Sequence, residues 1–184
     1  EQMIRVASGE KLSLSQNDIK FNGSAIECRI YAEDSSKNFL PSIGRLTRYI
    51  EPKGKSTRID SGVVEGSEIS MFYDPMISKL CTHTKSRKET ISEMINALDK
   101  YFIEVVKTNR DFLSDIIQNP KFYSGDYSTS FISENYPDGY DSFKAEVQDQ
   151  MQLFAVATFV NYKYLLRAAS ISNQLKGFNK TVDN

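Results

Sequence analysis

The chain has 184 residues, of which 40% are hydrophobic and 26% are charged, and its formal net charge is −1. This length allows one ordinary domain with an appendage, not two full domains, and the composition is that of a globular protein. The near-neutral charge favours neither nucleic acid nor an anionic membrane as a partner, and no apolar run of about eighteen residues predicts a transmembrane span.

The first half of the sequence is typical of an antiparallel sheet. Residues 2–7 have helical spacing and stop at Gly9. Residues 25–34 alternate apolar with charged side chains, which indicates a strand with one buried face. Further strands are predicted at 45–50, 56–61 and 77–84, and no helix separates them. Short strands at this spacing favour antiparallel pairing.

The second half changes to helical periodicity. Residues 86–103 place Ile91, Met94, Ile95, Leu98 and Phe102 on one face of a helix, with Ser86 as N-cap and Glu89 three residues later. A second helix is predicted from Asn109 to Ile117, where Asn119-Pro120 ends it. The turn-rich residues 137–142 mark a boundary, and residues 143–173 read as one long helix. We interpret its apolar, strongly aromatic stripe as a packing face; the stripe consists of Val147, Met151, Phe154, Ala155, Thr158, Phe159, Tyr162, Tyr164 and Leu165.

These elements predict an α+β fold: an antiparallel sheet with two packed helices and a protruding C-terminal helix. The predicted division is a domain at residues 1–140, a helical segment at 141–176 and a disordered tail at 177–184. The charged start of the chain, with Glu1 and Arg5, predicts no signal peptide, and we expect a cytoplasmic location. Cys28 and Cys81 lie in apolar strand-like contexts and are predicted to be buried, reduced thiols.

Motif chemistry alone identifies no enzyme site. Nucleotide-binding glycine loops and a GxSxG nucleophile motif are absent from the sequence. One histidine and two cysteines cannot make a convincing zinc site, so no metal site is predicted. Glu27, Glu33 and Asp34 form a carboxylate cluster, which we interpret as a source of structural salt bridges rather than metal ligands.

Several ordered motifs then resemble one family. Ala-Ile-Glu-Cys-Arg-Ile-Tyr-Ala-Glu-Asp at 25–34 and Phe-Leu-Pro-Ser-Ile-Gly-Arg-Leu at 39–46 are similar to the signature of the biotin carboxylase C-terminal subdomain. Arg-Ile-Asp-Ser-Gly at 58–62, Tyr-Asp-Pro-Met-Ile-Ser-Lys-Leu at 73–80 and Lys-Thr-Asn at 107–109 follow in the same order. Asp-Ser-Gly at 60–62, Phe-Tyr-Ser-Gly-Asp at 122–126 and Tyr-Pro-Asp-Gly at 136–139 resemble the branch of propionyl-CoA carboxylase α subunits.

The resemblance implies a parent enzyme that uses ATP, magnesium and bicarbonate to carboxylate biotin. It also implies that the ATP-grasp domain, which carries most of that chemistry, lies outside this chain. The expected partners are that ATP-grasp domain, the biotin carboxyl carrier domain and the carboxyltransferase β subunit. The chain alone is therefore predicted to hydrolyse no ATP and to carboxylate no biotin.

The resemblance also assigns roles to individual residues. Arg29 matches the arginine that contacts the ureido oxygen of biotin, a position suited to an always-charged, delocalised donor. Asp74 is predicted to orient Arg29 through a charge-assisted hydrogen bond. Arg58 matches a subunit-interface residue of dimeric bacterial enzymes. The alternatives are a surface ion pair for Arg29, a turn residue for Asp74 and an ordinary surface residue for Arg58.

Two further positions depart from the family pattern. Thr129 and Ser130 match a loop on the adenine side of the nucleotide, but Ser130 replaces the histidine of the free-standing enzymes. Val105 replaces a glycine, so the turn there must be either ordinarily extended or strained. Two other functions stay open on the sequence: a different biotin-dependent carboxylase (methylcrotonyl-CoA, acetyl-CoA or pyruvate) and a module that only docks a partner subunit.

Overall fold

The structure is a computed structural model that describes residues 1–140 and 150–170. The chain divides into two compact units, Glu1–Ser142 and Phe143–Asn184. The predicted disordered tail at 177–184 lies outside the described residues, as do residues 141–149 and 171–176 of the predicted helical segment. The first unit combines antiparallel strands with packed helices and the second contains a helix, which confirms the predicted α+β class.

The first unit contains nine strands and five α-helices within its described part. The strands are β1 (Ser24–Tyr31), β2 (Glu33–Asp34), β3 (Leu40–Pro41), β4 (Gly44–Arg45), β5 (Arg48–Ile50), β6 (Thr57–Ser61), β7 (Glu68–Ile69), β8 (Met76–Thr84) and β9 (Phe102–Glu104). The helices are α1 (Gln2–Ala7), α2 (Arg87–Lys100), α3 (Arg110–Gln118), α4 (Pro120–Ser124) and α5 (Phe131–Asn135). Helix α6 (Gln150–Ser170) belongs to the second unit.

The main sheet has three antiparallel strands in the order β1–β8–β6. Alternation along β1 buries Ile26, Cys28 and Ile30 and leaves the residues between them exposed. The register pairs Cys28 with Leu80, and Leu80 with Ile59, so apolar side chains of all three strands share one face. That inner face joins the buried side of α2 in a single hydrophobic core.

Helix α2 begins as predicted but ends earlier. The Ser86 hydroxyl accepts a hydrogen bond from the Glu89 amide at 3.3 Å, which caps the helix. The predicted place of Phe102 on the helix face is wrong, because Tyr101 adopts an extended backbone and Phe102 enters β9, 48% exposed. The fully buried Tyr101 occupies the core instead, with its hydroxyl bonded to those of Tyr49 (2.5 Å) and Ser78 (2.7 Å).

The chain between α2 and the end of the first unit is more helical than predicted. Helix α3 matches the predicted second helix, but Pro120 also begins the new helix α4, because the Asn119 side chain accepts a hydrogen bond from the Lys121 amide at 3.0 Å. Phe112 of α3 makes edge-on contacts with Phe39 and Tyr136, each with 5.0 Å between ring centroids. These contacts join α3 to the loop between β2 and β3 and to the residue that follows α5.

Val105 resolves the choice that the sequence left open. Its φ is +87°, so the turn between β9 and α3 keeps the left-handed backbone that a glycine adopts freely. A β-branched residue at positive φ stores strain of order 1–3 kcal/mol. The turn is therefore strained rather than extended.

Helix α6 falls within the predicted helix at 143–173, but its apolar surface is wider than a stripe. Met151, Phe154 and Tyr162 of the predicted stripe are exposed, as are Leu153 and Val160 outside it. Val147 lies outside the described residues. None of the helices in the described ranges combines the length and apolar character needed to cross a membrane.

Candidate functional site

The outer face of the main sheet carries charged side chains from all three strands. We call this surface the polar face and define it by these residues: Glu27 and Arg29 of β1, Arg58 and Asp60 of β6, and Lys79 and Cys81 of β8. The strand register places Lys79 between Arg29 and Asp60, and Cys81 between Glu27 and Arg58. Three cations thus face two carboxylates on a surface that remains open to solvent.

Arg29 is held on this face by its neighbour on the same strand. Its Nε donates a hydrogen bond to Glu27 Oε1 at 3.0 Å, and the arginine side chain stays 58% exposed. The bond from Arg29 lowers the pKa of Glu27, so the pair is ionised at neutral pH. An exposed pair of this kind adds little stability, but it orients the guanidinium while leaving most of it accessible.

Arg58 lies on the same face, on the opposite strand of the sheet. Its Nη2 is 3.2 Å from Asp60 Oδ2 and 3.9 Å from Cys81 Sγ. A depression of about 470 Å³ adjoins it and is lined in part by Glu27, Arg58, Cys81 and His83. Sequence reasoning treated Arg29 and Arg58 separately, whereas the structure brings them onto one surface.

Asp74 takes a different contact from the one predicted. Its Oδ1 accepts a hydrogen bond from the Met76 amide at 2.8 Å, just before β8. Burial and then the charge of Asp74 raise the pKa of Glu33, which places Asp74 near that carboxylate. Within residues 1–140 the structure gives Arg29 a bond to Glu27 and none to Asp74. The orienting role of Asp74 stays a prediction without a supporting contact.

Thr129 and Ser130 lie outside the polar face, at the turn that begins α5. The Ser130 hydroxyl bonds to Ser128 at 2.7 Å and to the Glu134 carboxylate. The turn follows an aromatic pair, Phe122 and Tyr127, whose rings stack with 4.8 Å between centroids and both face the Arg87 guanidinium. The loop is therefore anchored, and Thr129 is exposed at its surface.

The carboxylate cluster is divided among separate contacts. Glu27 pairs with Arg29. Asp34 pairs with Lys37 at 3.9 Å and accepts a hydrogen bond from the Ser36 amide at 3.1 Å. Glu33 is partly buried, and that burial raises its pKa. Across the described ranges no three His, Cys, Asp or Glu side chains come together as a possible metal site.

The two cysteines occupy opposite faces of the sheet. Cys28 is buried in the core, and burial raises its pKa to about 12. Cys81 was also predicted to be buried, but it is only partly buried. It lies on β8 between the buried Leu80 and Thr82, so strand alternation places its side chain on the polar face. Both thiols are free, as predicted.

One residue that sequence reasoning overlooked contacts the backbone of Arg29. Asn109, before α3, is 7% exposed. Its Oδ1 accepts from the Tyr31 amide at 2.9 Å, and its Nδ2 donates to the Arg29 carbonyl at 3.1 Å. The sequence offered two weak signals. Asn109 stands at a predicted helix start, where capping is the usual role, and it ends the Lys-Thr-Asn motif at 107–109 that carries part of the family resemblance.

Comparison with known proteins adds the family context. The biotin carboxylase C-terminal domain family matches residues 27–134. The chain is 43% identical over 202 residues to the propionyl-CoA carboxylase α chain of Ruegeria pomeroyi, covering 99% of this chain and 30% of that protein. It is 47% identical over 170 residues to the mitochondrial propionyl-CoA carboxylase α chain of Homo sapiens, covering 91% of this chain and 23% of that one.

A solved structure is similar in fold to most of this chain. The biotin carboxylase domain dimer of Hydrogenobacter thermophilus 2-oxoglutarate carboxylase, in complex with MgADP, ADP and bicarbonate, gives a TM-score of 0.69 at 41% identity. The match covers 71% of this chain and 29% of that one. This chain thus spans less than a third of the length of each of these three relatives.

Proposed function

We propose, since this chain belongs to the biotin carboxylase C-terminal domain family, that its polar face forms one wall of the biotin site of a biotin-dependent carboxylase α subunit. The observation that carries the proposal is the exposed Arg29 guanidinium, which is oriented by Glu27 on a face with excess positive charge. Such a face can stabilise a ligand oxygen on which negative charge develops during a reaction.

Arg29 would act on the ureido oxygen of biotin. Removal of the N1 proton delocalises negative charge onto that oxygen, and a guanidinium within hydrogen-bond distance stabilises it. The Glu27 bond uses the Nε of Arg29, and Tyr31 also interacts with the guanidinium. The arginine side chain is still 58% exposed, so part of it can face a ligand. Asp74 remains a candidate for orienting Arg29. Thr129 and Ser130 remain candidates for contacting the nucleotide.

The ATP and magnesium chemistry is assigned to another part of the parent protein. Among the described residues no three His, Cys, Asp or Glu side chains form a cluster that could hold a metal ion, and we derive no step through magnesium or the nucleotide. We infer that an ATP-grasp domain supplies this chemistry, that a carrier domain presents biotin, and that the chain alone is inactive. The MgADP in the Hydrogenobacter thermophilus biotin carboxylase domain supports nucleotide use by the parent enzyme.

The propionyl-CoA reaction is the acyl-group assignment we favour. The two α-chain relatives named above are propionyl-CoA carboxylase subunits at 43% and 47% identity. In this reading a carboxyltransferase β subunit transfers the carboxyl group from biotin to propionyl-CoA. A biotin-dependent carboxylase for another substrate is the second candidate, because the biotin carboxylase domain of a 2-oxoglutarate carboxylase is similar in fold at 41% identity.

A subunit-docking role is supported by a different observation. The apolar side chains of α6 are exposed around most of the helix, and an all-round apolar helix is usually covered by other structure. We propose that α6 leads towards the β subunit of the parent enzyme.

The cytoplasmic location remains a prediction, and the human relative is named as mitochondrial.

The test is ATP-dependent carboxylation of biotin by the full-length α subunit carrying Arg29→Ala. We expect kcat to fall by roughly 10²–10³-fold, as on loss of one preorganised donor to a developing oxyanion. Arg48→Ala is the matched control, because Arg48 is an exposed strand arginine on β5, away from the polar face. Wild-type activity of the Arg29 variant would refute the proposal, and carboxylation by the 184-residue chain alone would refute its predicted inactivity.

A further inference from the structure

We propose that Asn109 is a positioning residue for Arg29, acting through the backbone of β1. The inference rests on the proposed function, because it assigns Asn109 a part in biotin carboxylation only if Arg29 contacts biotin. The observation behind it is a buried side-chain amide that bonds to both sides of one short stretch of β1, at Arg29 and at Tyr31.

The free edge of strand β1 needs hydrogen-bond partners for its backbone. In the order β1–β8–β6 it is an edge strand, so its backbone groups on the side away from β8 find no partner in the sheet. The side-chain amide of Asn109 accepts from the Tyr31 amide and donates to the Arg29 carbonyl, as a peptide group of a neighbouring strand would. The Asn109 amide also donates to the Tyr31 carbonyl at 3.2 Å.

The position of Asn109 would allow a more ordinary role, which it does not take. It occupies the N-cap of α3, yet its side chain makes no capping hydrogen bond to that helix. The side chain bonds to β1 instead. Because it is buried, losing either hydrogen bond would leave a polar group without a partner and would destabilise the fold.

The contact matters for Arg29 because the strand register changes beside it. The pairing of β1 with β8 is regular up to Ile30 and shifts between Ile30 and Tyr31. Backbone irregularities of this kind redirect side chains. Asn109 binds residues on both sides of the shift, so it fixes the point from which the long Arg29 side chain extends.

The experiment uses the full-length α subunit with Asn109→Asp. This variant has the same shape and keeps an acceptor for the Tyr31 amide, but it replaces the donor to the Arg29 carbonyl with a carboxylate oxygen. We expect kcat/KM for biotin to fall roughly 10- to 100-fold, as for a misplaced reacting group, while KM for ATP stays unchanged. Asn119→Asp is the control, because its acceptor still caps α4 and contacts no residue of β1.

The outcomes separate this inference from the proposed function. If Arg29→Ala loses activity but Asn109→Asp matches Asn119→Asp, the positioning role is wrong and the function of Arg29 stands. If Arg29→Ala is fully active, the proposed function itself is wrong. Equal changes in the parameters for biotin and ATP would show a general structural effect and overturn the inference. Asn109→Ser, which adds no charge, replaces Asn109→Asp if that variant does not fold.

Discussion

The two faces of the main sheet use the same three strands for different purposes. On β1 the inner residues Ile26, Cys28 and Ile30 are buried against the core, whereas Glu27 and Arg29 between them point to solvent and pair with each other. Because side chains alternate along a strand, residues that stabilise the fold and residues that can contact a ligand are immediate neighbours in the sequence. The comparison teaches that substitutions on the inner face should cost stability, and those on the polar face should cost function.

The thiols offer the largest contrast between the faces. The thiolate is the reactive form, and burial raises the pKa of Cys28 to about 12, so Cys28 stays protonated at neutral pH and reacts only when the fold opens. Burial also raises the pKa of Cys81, but this thiol is partly exposed on the polar face. We expect alkylation of Cys81 to be about 100-fold faster or more.

Mass spectrometry of the chain during timed alkylation in native buffer measures both rates. Cys28→Ser and Cys81→Ser variants assign each reacting thiol. Labelling of both thiols should become equally fast in denaturant. Equal native rates would remove the distinction between the faces.

A smaller contrast comes from two neighbours on β8. Leu80 is fully buried, so Leu80→Ala should lower the free energy of unfolding by about 2–5 kcal/mol through lost transfer energy and a cavity. Lys79 lies on the polar face opposite Arg29 and Asp60, and Lys79→Ala should change it by less than about 1 kcal/mol. Urea unfolding of both variants tests this, and similar losses would contradict the assignment of faces.

Local patterns predicted much of the first unit. Alternation over residues 25–34 gave β1, and the spacing of Ile91, Met94 and Leu98 gave the buried side of α2. Both signals depend on which residues are apolar, which a sequence states directly. Arg29 could be singled out only by family resemblance, because an exposed strand arginine has no distinctive pattern of its own.

The errors arose where tertiary contacts override a local pattern. Phe102 continues the helical spacing of α2, but pairing of β9 with β5 draws it into a strand. Cys81 lies in an apolar stretch, yet the register turns it to the polar face. Asn109 resembles a helix cap, and its true partners on β1 are about 80 residues away along the chain. Such long-range pairings are not encoded in any short window.

The most direct test of the central claim is a structure of the full-length α subunit with biotin bound. We expect a terminal nitrogen of Arg29 to lie within about 2.7–3.2 Å of the ureido oxygen, while Asn109 still bonds to the β1 backbone. We also expect the ligand to cover the polar face beside Glu27 and Lys79. Biotin bound elsewhere, with Arg29 still exposed to solvent beside Glu27, would contradict the role proposed for Arg29.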